Sequence, residues 1–177
     1  MPETGSARLP TRTELVVWRS FLRAHARVTR NLEAELIAEQ RLSLAAYDVL
    51  VQLEESPGRR LRMTELAEAV LLSRSGVTRL VDRLERAGLV TRERADGDGR
   101  GVVAVLTQAG ADRLHTAAQT HLAGVVRYFV APLEPDELNT LGHTCDRLSS
   151  SAAEGLDRTA TVHETTSTDL TRPRGGA

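Results

Sequence analysis

Apolar residues recur along most of this chain at steps of three and four, the spacing that lays them on one face of a helix. The first seam runs through Leu15, Trp18, Leu22, Leu32 and Leu36, with His25 and Thr29 set into it, and predicts a helix over about 13–40. At 1.5 Å per residue such a helix extends roughly 40 Å, more than a small core covers, so a partner chain is its natural cover. That length predicts a homodimer. Ser43 is placed to cap a second helix carrying Leu44, Tyr47, Leu50, Val51 and Leu53, which the turn chemistry of Ser56-Pro57-Gly58 ends.

Next, Thr64 is placed to cap a short helix whose Leu66, Ala67 and Val70 face inward. Ser73 opens another, burying Val77, Leu80, Val81 and Leu84 at i, i+3, i+4 and i+7, and Gly88 supplies the left-handed position that stops it. The period then changes. LVTRER and GVVAVL favour strands and are separated by the loop ADGDGR, which predicts a two-stranded hairpin, or wing.

Thr107 is placed to cap a long helix containing Leu114, Ala118, His121, Leu122, Val125 and Phe129, closed by Pro132. A final helix starts at Pro135, with Asp136 and Glu137 in the first turn where the macrodipole favours acids. Its seam of Leu138, Leu141, Cys145 and Leu148 is expected to pack against the first helix across a dimer. Residues 1–11 and 155–177 lack apolar periodicity and are expected to be disordered tails. The pattern predicts a mainly α fold with a small β-hairpin wing, a single domain over 12–154. Long N- and C-terminal dimerisation helices, 12–42 and 108–154, flank a winged helix-turn-helix over 43–107.

Composition narrows the function. Net charge is −1, with 23 arginines and no lysine. Residues 59–100 hold ten arginines against seven acids, a local +3, and the remainder is net −4. The all-arginine usage fits either GC-rich coding or recognition of phosphate and guanine. No apolar run approaches the roughly 20 residues of a membrane span, and the start MPETGSARLP lacks a signal-peptide core, so a cytoplasmic location without membrane attachment is expected. The single Cys145 excludes an intrachain disulfide or a cysteine cluster, and the five histidines show no tight ligand spacing. No metal or cofactor is expected. No glycine-rich phosphate loop follows a strand and no nucleophile elbow appears, so nothing points to an enzyme.

The helix opening at Ser73 exposes Ser73, Arg74, Ser75, Thr78, Arg79, Asp82, Arg83 and Arg86, with hydroxyls near its start and arginines along its length. Two readings fit that face: a solvated surface, or a helix entering a major groove N-terminus first, with Gly76 permitting close approach. The hairpin beside it favours the second. A basic projection next to a helix pair can reach the minor groove, with Arg94 and Arg100 as its probes. Asp98 is either a solvent-facing turn residue or the partner that orients Arg100.

These residues resemble the MarR family of bacterial transcriptional regulators over roughly 13–150. DGRGVVAVLTQAG, Asp98 to Gly110, is similar to the family's wing signature of Asp-x-Arg, an apolar strand, and Leu-Thr-x-x-Gly opening the next helix. LSRSGVTRLVDRLERAGLV, Leu72 to Val90, is similar to its recognition helix and first wing strand. The resemblance implies that Ser73, Arg74, Ser75, Thr78, Arg79 and Arg83 meet the major groove. It implies that Arg100, oriented by Asp98, enters the minor groove, and that a homodimer binds a pseudo-palindromic double-stranded DNA operator. Thr64 completes the DNA-binding set. Repression relieved by a small molecule is the implied mode, with an aromatic or lipophilic effector near Trp18, Leu22, His25 and Tyr47. Three of these have a plainer reading, His25 as a satisfied interface histidine and Trp18 and Tyr47 as core. Redox-sensing relatives carry a cysteine near the start of the first helix, whereas Cys145 lies near the other end, which disfavours peroxide sensing. The competing function is a winged helix used only for protein–protein contact, which the arginine-bearing face and wing tip disfavour.

Overall fold

In the computed structural model, which describes residues 8–70, 72–95 and 101–164 (151–164 as helical backbone), α1 spans Arg12–Gln40. A reciprocal cap starts it. The Glu14 N–H donates to Thr11 Oγ1 at 3.3 Å and the Thr11 N–H donates to Glu14 Oε2 at 2.7 Å. Arg8 donates to the same carboxylate and is the main cause of its pKa falling to about 2. Of the predicted seam, only Leu32 and Leu36 are buried within the chain. Trp18 and Leu22 are about half exposed, because the helix runs beyond the core it packs on.

The second helix, α2 (Leu44–Glu55), begins as expected, with Ser43 Oγ accepting the Ala46 N–H at 3.1 Å. It is an interior helix, burying Ala46, Tyr47, Val49, Leu50 and Leu53. A 3-10 turn, Pro57–Arg59, leads to a strand absent from the sequence reading, β1 (Arg60–Arg62). Three residues, Arg-Leu-Arg, are too short to carry a period. Then come α3 (Met63–Ala69), α4 (Arg74–Arg86), β2 (Val90–Arg94) and β3 (Val102–Leu106). The expected two-stranded hairpin is therefore a three-stranded antiparallel sheet in the order β1-β3-β2. Leu61 pairs with Ala104 and Arg92 pairs with the same residue from the other side. As the central strand, β3 is buried at Val103, Ala104 and Leu106, which is why it reads VVAVL.

Leu36, Leu50, Leu53, Leu66, Val77, Val81 and Val90 are fully buried in one cluster that joins α1, α2, α3, α4 and β2. Each such side chain contributes about 1.5–3 kcal/mol. α5 (Gln108–Val125) packs along α1 and ends in a π turn, Val126–Val130. Gly124 permits the approach, since a Cβ there would lie 2.8 Å from Leu32 Cδ2. Polar contacts reinforce it: Arg113 and Thr120 bond to Gln40, and Glu35 binds both Arg127 and Tyr128.

These elements form the compact unit that ends at Ala131; residues from Pro132 onward form a second. The second unit contains α6 (Pro135–Glu164), with Asp136 and Glu137 in its first turn and an exposed Cys145. Its helix continues through 155–164, into the segment read from sequence as a tail.

The start of α5 is the tightest joint in the first unit. Thr107 Oγ1 accepts the Gly110 N–H at 3.0 Å and donates to the Gly88 carbonyl at 2.7 Å, while the Thr107 N–H donates to the Leu89 carbonyl at 3.1 Å. A Cβ on Gly110 would stand 2.1 Å from that Leu89 oxygen and 2.7 Å from Leu106 Cδ1. Gly110→Ala should therefore cost about 3 kcal/mol or more by urea denaturation. Gly142→Ala, where a Cβ meets nothing within 4 Å, should be neutral or stabilising by up to about 1 kcal/mol. Equal effects of the two would show that the joint is not close-packed.

Candidate nucleic-acid interface

The sequence of α4 places its chemistry by periodicity. Val77, Leu80, Val81 and Leu84 face the core, and Arg74, Ser75, Thr78, Arg79, Arg83 and Arg86 face outward. Ser73 caps the helix, its Oγ accepting the Gly76 N–H at 3.1 Å and lying 3.3 Å from Ser75 Oγ. Gly76 serves that cap. A Cβ on it would crowd Ser73 Oγ at 3.1 Å, so its smallness is used inside the helix start rather than kept for a ligand. The far end closes as the glycine stop predicts: Gly88 has φ +72°, its N–H bonds the Glu85 carbonyl at 2.9 Å, and the Leu89 N–H bonds the Leu84 carbonyl at 3.0 Å.

Among the described residues, none of Arg74, Arg79, Arg83 and Arg86 is paired with a carboxylate, and all four are exposed. A row of unpaired guanidinium groups following two hydroxyls can bind successive anionic groups along a polymer. The Thr78 hydroxyl donates to the Arg74 carbonyl at 2.9 Å, which leaves its oxygen as an acceptor toward solvent.

Thr64 does not cap α3, contrary to the sequence reading. The helix begins two residues earlier than a Thr64 cap would place it, at Met63 with Arg62 at the cap position, and the Glu65 carboxylate accepts the Arg62 N–H at 3.1 Å. Thr64 is instead exposed in the first turn and lines an open cleft of about 580 Å³ with Arg62, Met63, Thr78, Arg92, Gly101 and Val102. The cleft brings Thr64 and Thr78 together at the root of the hairpin. Arg94 is exposed at the end of β2, opposite Val102, and the Ala95 N–H bonds the Gly101 carbonyl at 2.9 Å across the base of the loop. Asp98 and Arg100 lie outside the described residues.

Sequence reasoning missed Arg92, and it misplaced Asp82. The amphipathic pattern puts Asp82 on the outward face, yet it is half-buried against the Arg92 guanidinium. Arg92 also contacts Glu85 at 3.2 Å and donates to the Thr78 carbonyl at 3.1 Å. The only signal in the chain was an arginine on a strand beside a helix with acids three residues apart.

The four residues considered for an effector lie in different surroundings on the single chain. Tyr47 is buried in the core, its ring 4.4 Å from His121 of α5. His25 is exposed on the single chain; it continues a stacked row from Trp18 through Phe21 and lines a groove with Leu44, Ala45, Asp48, Val70 and Leu72. Leu22 lines another groove on α1 with Arg23, Ala26 and Arg27. Among the described residues no group of three or more His, Cys, Asp or Glu side chains is arranged to hold a metal, and no helix is long and apolar enough to cross a membrane.

The fold and the sequence are both similar to those of known proteins. The MarR family model matches residues 42–101. The crystal structure of AbsC, a MarR family transcriptional regulator from Streptomyces coelicolor, is 35% identical with a TM-score of 0.75, over 84% of this chain and 99% of AbsC. The chain belongs to the MarR family. This MarR protein is likewise 35% identical to Sco3205 of S. coelicolor, a relative crystallised in complex with DNA, with a TM-score of 0.77 over 83% of this chain and 92% of that one. An uncharacterized HTH-type transcriptional regulator of Bacillus cereus is 28% identical over 126 residues, 71% of this chain and 82% of the relative. The protein is thus a DNA-binding transcriptional regulator and not an enzyme.

Burial lowers the pKa of His121, with Asp48 acting against it more weakly. The unfolded chain, with an ordinary histidine near 6.5, then takes up the proton more readily. Stability contributed by neutral His121 is present above about pH 6.5 and is lost as pH falls through the folded value. The urea midpoint of this MarR protein should therefore fall more between about pH 7.5 and 5 than that of His121→Gln; parallel profiles would remove His121 from the pH response.

Proposed function

We propose that the protein is a repressor that binds a pseudo-palindromic operator as a homodimer and is released by a small aromatic or lipophilic molecule. The observation that carries this reading is the outward face of α4, where Ser73, Ser75 and Thr78 accompany four exposed arginines that pair with no carboxylate among the described residues. In the proposed complex α4 lies in the major groove, with Ser73, Arg74, Ser75, Thr78, Arg79 and Arg83 against bases and phosphates. The wing reaches the minor groove through Arg94 and through Arg100, oriented by Asp98, and Thr64 meets the backbone beside the cleft. Half-sites lie about one helical turn apart, roughly 34 Å. Support for a dimer comes from α1, which exposes Val16, Val17, Trp18, Phe21 and Leu22 on consecutive turns, more contiguous apolar surface than a solitary helix end leaves in water.

The DNA reading is tested by gel-shift titration against the palindromes upstream of its own gene, at several salt concentrations. Arg79→Ala and Arg83→Ala should each cost about 1–3 kcal/mol on the operator and relax base preference, whereas Arg100→Ala should weaken all duplexes and reduce the salt slope by about one. Phenolic acids added to the same titration should release the operator. Equal affinity of the wild type for operator and random duplex would point instead to a winged helix devoted to protein contact.

The dimer is tested by sedimentation. The wild type should run as a dimer at micromolar concentration, and Trp18→Glu with Phe21→Glu should shift it toward monomer while leaving the buried Leu32 and Leu36 contacts folded. A wild-type monomer would defeat the proposal.

A further inference from the structure

Arg92 stands on β2, an edge strand, with its side chain across the face of α4. Its Nη1 meets Asp82 and Glu85, its Nη2 donates to the Thr78 carbonyl at 3.1 Å, and its backbone N–H donates to Glu85 Oε1 at 3.2 Å. Thr78, Asp82 and Glu85 are spaced by four and three, so they form one stripe along the helix. One residue of the hairpin is thereby fastened to two successive turns of the recognition helix. Glu85 occupies the exposed edge N–H as well, closing the side of β2 that no strand covers.

We propose that Arg92 is a positioning residue for DNA recognition: its clasp on Asp82, Glu85 and Thr78 fixes the angle between α4 and the β2–β3 hairpin, so that both engage one duplex. This rests on the reading of α4 and the hairpin as the DNA interface. A direct phosphate contact by Arg92 is the competing role, and the geometry opposes it. Both terminal nitrogens already have acceptors, the side chain is only 25% exposed, and the trio with Asp82 and Glu85 carries a net negative charge that repels phosphate. A purely stabilising role would explain the contacts but not their placement. They tie the two parts of the interface, helix and hairpin, at the hairpin's root beside Thr64 and Thr78.

The test is charge exchange. Arg92→Asp places a third acid beside Asp82 and Glu85; Asp82→Arg combined with Arg92→Asp restores an opposite-charge pair at the same site. Each protein is titrated with operator and random duplex well below its thermal midpoint, so that all are folded. In parallel, spin labels at Arg86→Cys and Arg94→Cys, in a Cys145→Ser background, report the helix-to-hairpin distance without DNA. The clasp predicts about a tenfold or greater loss of operator affinity in Arg92→Asp, an unchanged salt slope, and a broadened label distance. The exchanged pair should recover most of all three. Failure of the exchange to restore affinity, with a salt slope lower by about one, would identify a direct phosphate contact and overturn the proposal. An unaltered label distance in Arg92→Asp would overturn it too, whatever the DNA result. If the wild type ignores the operator while the distance responds as stated, the clasp stands as the hinge restraint and it is the DNA reading that falls.

Discussion

The carbonyl of Leu89 is where three parts of this fold meet, and residue 110 must be glycine for them to do so. That oxygen accepts the Thr107 N–H, and the backbone of α5 passes close enough that a Cβ would sit 2.1 Å away. The end of α4, the exit of β3 and the first turn of α5 are thus held at one point. Thr107 locks it from both sides, capping α5 and bonding the carbonyl of Gly88, whose positive φ terminated α4. Displace this joint, and the hairpin loses its root and the recognition helix loses its stop together.

From that joint outward, what differs among the arginines is whether they are already occupied. Arg59 pairs with Glu54, Arg127 with Glu35, and Arg92 with Asp82 and Glu85, and each of these holds one element to another. The arginines on the outer face of α4 hold nothing within the described residues. A near-neutral protein can therefore present a polyanion site, because its carboxylates neutralise the structural arginines and leave one helix face uncompensated. A second row of this kind lies on α1, where residues 12–30 carry five arginines against Glu14 alone, and Glu14 is taken by Arg8.

Local chemistry was legible in the sequence, and long-range pairing was not. Ser43, Ser73 and Thr107 cap the helices they were expected to cap, because a cap needs only a short polar side chain and an N–H three residues on. Gly88 was legible for the same reason. Thr64 was misread because its neighbour Glu65 supplied the cap instead, reaching back to Arg62. β1 escaped notice since its strand character comes from β3, forty residues away, and not from its own three residues. His25 is exposed on the single chain because a seam records only which face is apolar, not how far the chain's own core extends beneath it. Of the proposed interface residues, those on α4 have their outward placement from its period. The pairing of Asp82 with Arg92 depends on the turn that brings the strand back beside the helix, which no local period records.

That pairing also explains why an acid is tolerated on a helix that would face phosphate. A free carboxylate at Asp82 would repel the duplex that Arg79 and Arg83 attract. Arg92, shared with Glu85, offsets that charge only in part, and in the proposed clasp what the acid gives in return is the aim of the strand carrying Arg94. On the proposed clasp the acid serves the geometry of the interface at some expense to its charge. An uncharged residue there would lessen the repulsion and still lose the hairpin's alignment. On this view the recognition surface is a helix and a wing set at one angle, and the angle is held by side chains that touch no DNA.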